Sequence, residues 1–389
     1  MRHCLHSTLL LLFIFLSCFT YGQNPVSAKW GDGLKLTAKD SSFHLKFSFR
    51  FQTLYAGEKN TVSDEYSDVM LIRRSRLKFD GWAYNPKLVY KVELALSNRD
   101  DLSGHIDESG NTANIVLDAV AKWSFAKDWQ LWFGQTKLPG NRERVISSQK
   151  LQFVDRSLVN SRFNLDRDKG IQLRHKSKSG GMVINQMFAL SMGEGRNIIV
   201  QNPGKGYQLT GRLEFLPFGN FTGKGDYFGS DLEREETPKL SIGITGDINT
   251  NAVRQRGNLG SFITDVSDNY LSNDLKTFMA DMMFKYNGLS ISSEYANRTT
   301  ANTNNGFGTG TGLVVQSGYL LPSDLEIALR FTDINAASGS SISDVKEYTF
   351  GVSRYIVGHS LKVQSDISYQ KIPAGDNLIV FRLQTEIAL

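Results

Sequence analysis

The pattern that most constrains this chain is a two-residue alternation of apolar and polar side chains that recurs after residue 40. Residues 361–370 show it clearly. Leu361, Val363, Ile367 and Tyr369 fall on one face of an extended strand, and Lys362, Gln364, Asp366 and Gln370 on the other. About sixteen such segments occur, and most reach the roughly 9 to 11 residues that a tilted strand needs to cross a bilayer. A sheet with lipid on one face and water on the other must close on itself. An open edge in hydrocarbon would leave backbone donors and acceptors without partners. The expected fold is therefore an all-β, transmembrane, antiparallel β-barrel.

The predicted strands begin with 43–55, 69–84, 87–97, 115–125 and 129–137. They continue with 170–176, 182–192, 206–215 and 239–248, and end with seven that start near Leu275, Leu289, Leu313, Leu325, Lys346, Leu361 and Leu378. Tight connections at 85–86, 126–128, 179–181, 287–288, 322–324 and 358–359 alternate with long polar ones at 56–68, 98–111, 139–168, 193–205, 249–273, 299–309 and 335–344. Asn287-Gly288 is a strong two-residue hairpin signal, because both residue types tolerate positive φ. Outer-membrane barrels alternate in this way, with short periplasmic turns and long external loops. Two connections break the order: 217–238 is long where a turn is due, and 373–376 is short where a loop is due. An extra strand pair in 217–238 would raise the count from sixteen to eighteen. Aromatic residues near strand ends, among them Tyr55, Trp82, Trp123, Trp129 and Tyr286, suit belts at the two lipid–water boundaries.

Residues 1–22 read as a secretory signal, with Arg2 ahead of an apolar run at 9–16 and cleavage near Gly22; acylation at Cys18 is the rival reading. Residues 23–40 then form a short periplasmic segment, and 41–389 the barrel. Both cysteines, Cys4 and Cys18, lie in the signal, so the remainder carries no thiol for a disulfide or a metal. A formal net charge of +5 over 389 residues is no nucleic-acid footprint. The chain holds no G-x-S-x-G, H-E-x-x-H or P-loop signature, and the reading calls for no enzyme activity and no cofactor. About 20 residues between the signal and Phe43 leave no room for the plug of an energised transporter.

The polar face carries the functional information. Strict alternation over 69–84 puts Val69, Leu71, Leu77 and Phe79 outside and Arg74, Arg76 and Lys78 inside. Arg73 then faces lipid, unless it snorkels to an interface or the register slips there. The same parity puts Lys46, Arg50, Lys91, Lys122, Arg174 and Lys176 inside. Cations along a low-dielectric wall raise the local anion concentration. The opposing possibility is that Asp80, Glu93 and Asp118 neutralise them within the wall.

The loop at 139–169 is the longest, yet it carries Val145, Ile146, Leu151, Phe153, Leu158, Val159 and Phe163. A solvated loop does not need these anchors. They predict a loop folded inward against the wall as a constriction, with a cap over the mouth as the alternative. Its cations, Arg142, Arg144, Lys150, Arg156, Arg162, Arg167 and Lys169, outnumber its four acids and predict a basic constriction.

Arg73-Arg74-Ser75-Arg76-Leu77 followed by Gly81 resembles the early paired-arginine strand of the phosphate-selective porin O and P family. Gly134-Gln135-Thr136-Lys137, Glu143-Arg144, Ser147-Ser148, Phe153, Asp155-Arg156-Ser157-Leu158, Phe163 and Arg167-Asp168-x-Gly170 resemble that family's strand-to-constriction-loop stretch. Phe218-Gly219 and Lys239-Leu240-Ser241-Ile242-Gly243 add to the likeness, while Gly140 and Leu165 depart from it. The resemblance implies a sixteen-stranded, trimeric outer-membrane porin of a Gram-negative bacterium with an inward constriction loop. The expected function is passive diffusion of small hydrophilic solutes with anions such as phosphate favoured. The partners would be outer-membrane lipid, small anions and two further copies in a homotrimer, with no nucleic acid. A structural or adhesive barrel binding a partner or glycan through its long loops is the alternative.

Overall fold

The computed structural model describes residues 27–97, 114–199, 206–302, 306–373 and 375–389. The signal at 1–22, the Cys18 alternative and the loop at 98–111 lie outside the described residues. A short hairpin, β1 (Ser27–Lys29) and β2 (Gly33–Thr37), precedes the wall. The wall comprises β3 (Phe43–Asn60), β4 (Tyr66–Ala83), β5 (Leu88–Ala95), β6 (Val116–Ala126), β7 (Trp129–Lys137), β8 (Arg167–Ser179), β9 (Met182–Ser191) and β10 (Gln208–Leu216). It continues with β11 (Lys239–Ala252), β12 (Asn273–Tyr286), β13 (Leu289–Thr300), β14 (Gly310–Leu320), β15 (Leu325–Ala336), β16 (Val345–Val357), β17 (Leu361–Lys371) and β18 (Leu378–Ala388).

Each wall strand pairs antiparallel with the next, and β18 pairs with β3 from Leu378↔Asn60 to Ala388↔Arg50, which closes the sheet. The wall thus has sixteen strands. Segment 217–238 adds no strand pair. Where β18 ends, β2 takes over the same edge of β3, from Leu34↔Phe47 to Thr37↔His44. This edge of β3 is therefore paired along most of its length.

The side chains invert the pattern of a water-soluble protein. Along β10, Gln208, Thr210, Arg212 and Glu214 are buried inside, while Leu209 and Leu213 are exposed outside. Apolar residues on the outer face meet hydrocarbon rather than water. The tight turns form as their residues dictate: Asn287 and Gly288 both take positive φ, 47° and 85°, between Tyr286 and Leu289.

Strict alternation fails in β4. Gln52 pairs with Arg74, but Thr53 pairs with Ile72, so Arg73 is an extra residue in a β-bulge. Beyond it every side chain changes face. Val69 and Leu71, expected outside, pair with Ala56 and the buried Leu54 on the inner face; Met70 and Ile72 point out, Met70 with 78% of its surface exposed. Arg73 turns inward beside Arg74 and reaches the same carboxylate, Asp155 Oδ1, at 3.1 Å. The slip removes a guanidinium from hydrocarbon. Spin labels placed at Met70 and Ile72 in lipid vesicles should collide with oxygen dissolved in the bilayer, and a label at Leu71 should not. The reverse pattern would mean that β4 runs without the bulge.

Candidate functional site

The segment between β7 and β8 enters the lumen. It contains two short helices, α1 (Arg142–Val145) and α2 (Leu158–Phe163), with a 3-10 turn at Ser148–Lys150 between them. Ser157 caps α2 by accepting a hydrogen bond from the Asn160 N–H, and its own hydroxyl donates to Glu143 Oε2 at 2.5 Å. The predicted apolar anchors explain the inward path. Val159 and Phe163 join Met279, Ala296, Val314 and Ile334 of the wall in one cluster. Ile146 and Leu151 join Val183, Leu216, Phe221 and Met283 in another. Each buried side chain of this size contributes about 1.5–3 kcal/mol. Glycines in the wall make room for them. A Cβ on Gly312 would lie 2.8 Å from the Phe163 ring, and one on Gly351 would lie 2.9 Å from that of Phe153.

Polar bonds fix the loop to the same side. Arg142 is 1% exposed in side chain; its Nε donates to Asp281 Oδ1 at 2.8 Å and its Nη2 to Ser241 Oγ at 2.7 Å. Arg212 meets Asp281 at 2.6 Å and Glu214 at 2.9 Å, so two arginines and two carboxylates form one buried quartet. Farther along, Gln152 donates to Glu326 at 2.7 Å, the Val154 N–H to Asp366 at 3.0 Å, and Arg330 to the Asp155 carbonyl at 2.9 Å. Arg298 holds the Phe163 carbonyl at 2.7 Å.

Segment 217–238, the long connection at the turn end, also folds inward. Its Gly229 N–H donates to the Lys150 carbonyl at 2.8 Å, and its Asp226 carbonyl accepts from Arg142 at 3.0 Å. Lys285 and Glu326 hold Ser230 from the wall. The two inserts together occupy the lumen beside β11 to β17.

Space remains beside the other strands, as two cavities. One, of about 380 Å³, opens at the loop end. Nine arginines and two aspartates line it, Arg73, Arg74, Arg144, Arg156 and Arg256 among the cations and Asp155 and Asp166 the acids. The other, of about 1110 Å³, opens at the turn end and is lined by Lys91, Arg174, Lys176, Trp132, Tyr227 and Phe221, among others. Arg76 and Arg167 line both, so these two stand at the partition.

The structure distributes the sequence-predicted cations among different roles. Arg76 pairs with Glu93 at 3.2 Å, Lys78 with Asp80 at 2.7 Å, and Lys91 with Glu93 and Asp118 at 2.7 and 2.8 Å. Arg50 pairs with Glu386 at 3.3 Å and Lys46 with Asp32 at 3.2 Å. Arg74 shares Asp155 with Arg73. Burial acts to raise the Asp155 carboxyl, but Arg73, Arg74 and Arg382 outweigh it and hold its pKa well below the usual range. Arg50, Arg76, Lys78 and Lys91 thus meet acids of the wall, while Lys46 meets the turn of the β1–β2 hairpin and Arg74 the loop.

Others lack a carboxylate partner. Lys122 and Arg174 stack on Trp132 at 3.9 and 3.8 Å, and Lys176 donates to Asn220 at 3.0 Å. In the loop, Arg144 grips Asp166 and Arg167 grips Asp118. Arg156 bonds the carbonyls of Glu143 and Ile146 at 2.8 and 2.6 Å. Arg142 is consumed by the quartet, Arg162 lines neither cavity, and Lys150 lies 3.6 Å over the Phe228 ring where the inserts meet. Sequence reasoning missed Arg382, which inward parity opposite Phe381 and Leu383 could have found. It also missed Arg196 and Arg256, which sit in loops where no periodicity exists to find them. Among the described residues no cluster of three or more His, Cys, Asp or Glu could hold a metal ion.

Two expectations follow. Replacing Arg142 with Met leaves Asp281 and Glu214 to share Arg212 alone, with one uncompensated negative charge in the interior, and unfolding in urea should show a loss of about 3–5 kcal/mol; an unchanged midpoint would mean that the quartet does not hold the loop. The Lys150 ammonium is pushed down to about 8 by burial first and then by Lys78, Lys224 and Lys46. Above that value the folded state has released a proton that the unfolded chain keeps up to its ordinary 10.5. Stability should therefore rise with pH between these limits. Lys150→Met should flatten that rise in urea titrations, and an identical rise in both proteins would contradict it.

Comparison with known proteins agrees with this architecture. The family model described as phosphate-selective porin O and P matches residues 44–359. An uncharacterized protein of Aquifex aeolicus is 23% identical over 274 residues, covering 64% of this chain; the match spans 61% of that relative's length. Among solved structures, the anion-selective porin from Comamonas acidovorans has a TM-score of 0.55 at 10% identity, covering 89% of this chain and 100% of that one. The trimer form of OmpT from Vibrio cholerae has a TM-score of 0.54 at 13% identity, covering 89% and 99%. At these identities the structural likeness shows the fold alone.

Proposed function

The chain belongs to the phosphate-selective porin O and P family, and we propose that it is a passive channel for small hydrophilic solutes that favours anions, phosphate among them. Its membrane is the outer membrane of a Gram-negative bacterium. The observation that carries the anion preference is the loop-end cavity, where nine arginines face two aspartates. Guanidinium groups so close repel one another, and an anion relieves that repulsion. Arg156 is the clearest case. Burial, then Arg144, Arg74 and Arg76, weigh against its charged form, and Glu143 favours it. A guanidinium does not give up its proton, so the cost stands until an anion arrives. Arginine forks also suit phosphate oxygens in two-point bonds.

The route runs from the arginine cavity past Arg76 and Arg167 to the larger cavity at the turn end. The pore-lining set in this reading is Arg74, Arg76, Arg144, Arg156, Arg167, Lys91, Arg174 and Lys176. Lys46, Arg50, Lys78 and Lys122 tune the wall behind it. A homotrimer is part of the proposal, supported by the trimeric form of the Vibrio cholerae protein with the same fold.

The test is the reversal potential of the purified protein in a planar bilayer under a potassium chloride gradient. Chloride should be favoured over potassium, and the preference should shrink at 1 M salt, where the Debye length falls to about 3 Å. Arg156→Glu should lower the chloride preference several-fold. A potassium-selective wild type would sink the reading.

A further inference from the structure

The two cavities differ in more than size. No aromatic residue lines the arginine cavity at the loop end. The cavity at the turn end, about 1110 Å³, has Trp132, Phe221 and Tyr227 in its lining and is far larger than an inorganic oxyanion needs. Its cations are also presented differently. Trp132 donates an Nε1–H hydrogen bond to Gln130 at 3.0 Å, and the Arg174 guanidinium lies over its ring, 3.8 Å from Cζ to the ring centroid. Three of the five N–H donors of Arg174 meet neutral acceptors. Nε and Nη2 donate to Gln172 Oε1 at 3.2 and 2.7 Å, and Nη1 approaches Met187 Sδ at 3.2 Å.

The Nε–Nη2 fork, one of the edges that phosphate recognition uses, is occupied by Gln172. Arg174 offers a flat cationic face. One face rests on the indole, and the surface of Arg174 left open lines the cavity. Lys176 follows two residues along β8 on the same side, about 7 Å away by strand geometry. Its ammonium has only the Asn220 amide oxygen, at 3.0 Å, and no carboxylate. A guanidinium over an indole, with an ammonium two residues along the same strand and Phe221 and Tyr227 in the same lining, matches one kind of solute.

We propose that the turn-end cavity binds aromatic carboxylates, the ring lying on the open face of Arg174 and the carboxylate meeting Lys176. The inference rests on the channel reading above and names a solute class for its inner chamber. Stacking on a guanidinium contributes a term that acetate lacks, and the ammonium contributes one that a neutral ring lacks.

Single-channel chloride current, titrated from the turn end with benzoate, acetate and benzyl alcohol, tests it. Benzoate should block at a concentration about tenfold below acetate, the size of one cation–π contact. Benzyl alcohol should not block over the same range. Equal block by benzoate and acetate, or equal block by benzyl alcohol, would each overturn the proposal. These comparisons need only the wild-type protein. Arg174→Lys keeps the charge and removes the flat face, so the benzoate-to-acetate ratio measured within that variant should fall to about one. A ratio that survives the change would also overturn the proposal. A potassium-selective reversal potential would sink the anion reading while leaving the benzoate-to-acetate ratio to be judged by itself.

Discussion

Pairing of β18 with β3 is the constraint from which the rest follows. Within hydrocarbon no water can satisfy an orphaned backbone group, so the sheet has to close. Closure with the apolar face outward puts the polar half of every strand inside. That interior is where a barrel of this width could hold water, and where buried charges can find partners. The inward loop exploits both. It is held by apolar contacts of an ordinary core and by a quartet of charges that would be costly anywhere less enclosed.

The lumen is filled unevenly. Loop 138–166 and the shorter insert at 217–238 meet through the Gly229–Lys150 backbone bond and occupy the side beside β11 to β17. Free space is left on the side where Lys122, Arg174 and Lys176 stand. The charges divide into two populations. Arg50, Arg76, Lys78 and Lys91 are bound to acids and serve the wall. Arg156, Arg174 and Lys176 bond only neutral acceptors, and their field remains for a solute.

Much of this was legible from residue order. Strand positions, the Asn287-Gly288 turn and the apolar anchors of the loop follow from two-residue periodicity, turn chemistry and the oddity of Phe153 and Phe163 in a polar stretch. The bulge was half legible. Arg73 in lipid was a contradiction, and contradictions of that kind mark a register change. The insert at 217–238 was visible as a break in the alternation of connections, but nothing local says that its Asp226 and Gly229 meet Arg142 and Lys150.

By itself, then, the sequence determined the closed barrel, the faces of most strands and the basic character of the lumen, because periodicity and side-chain type are local properties. Only the tertiary structure decided which cations are neutralised. Arg142 and Arg156 lie in one loop and look alike in the chain, yet one is spent on Asp281 and Glu214 and the other bonds only carbonyls. The physical reason is that neutralisation depends on distance between residues far apart in sequence, and a charge is defined functionally by what stands within a few ångströms of it.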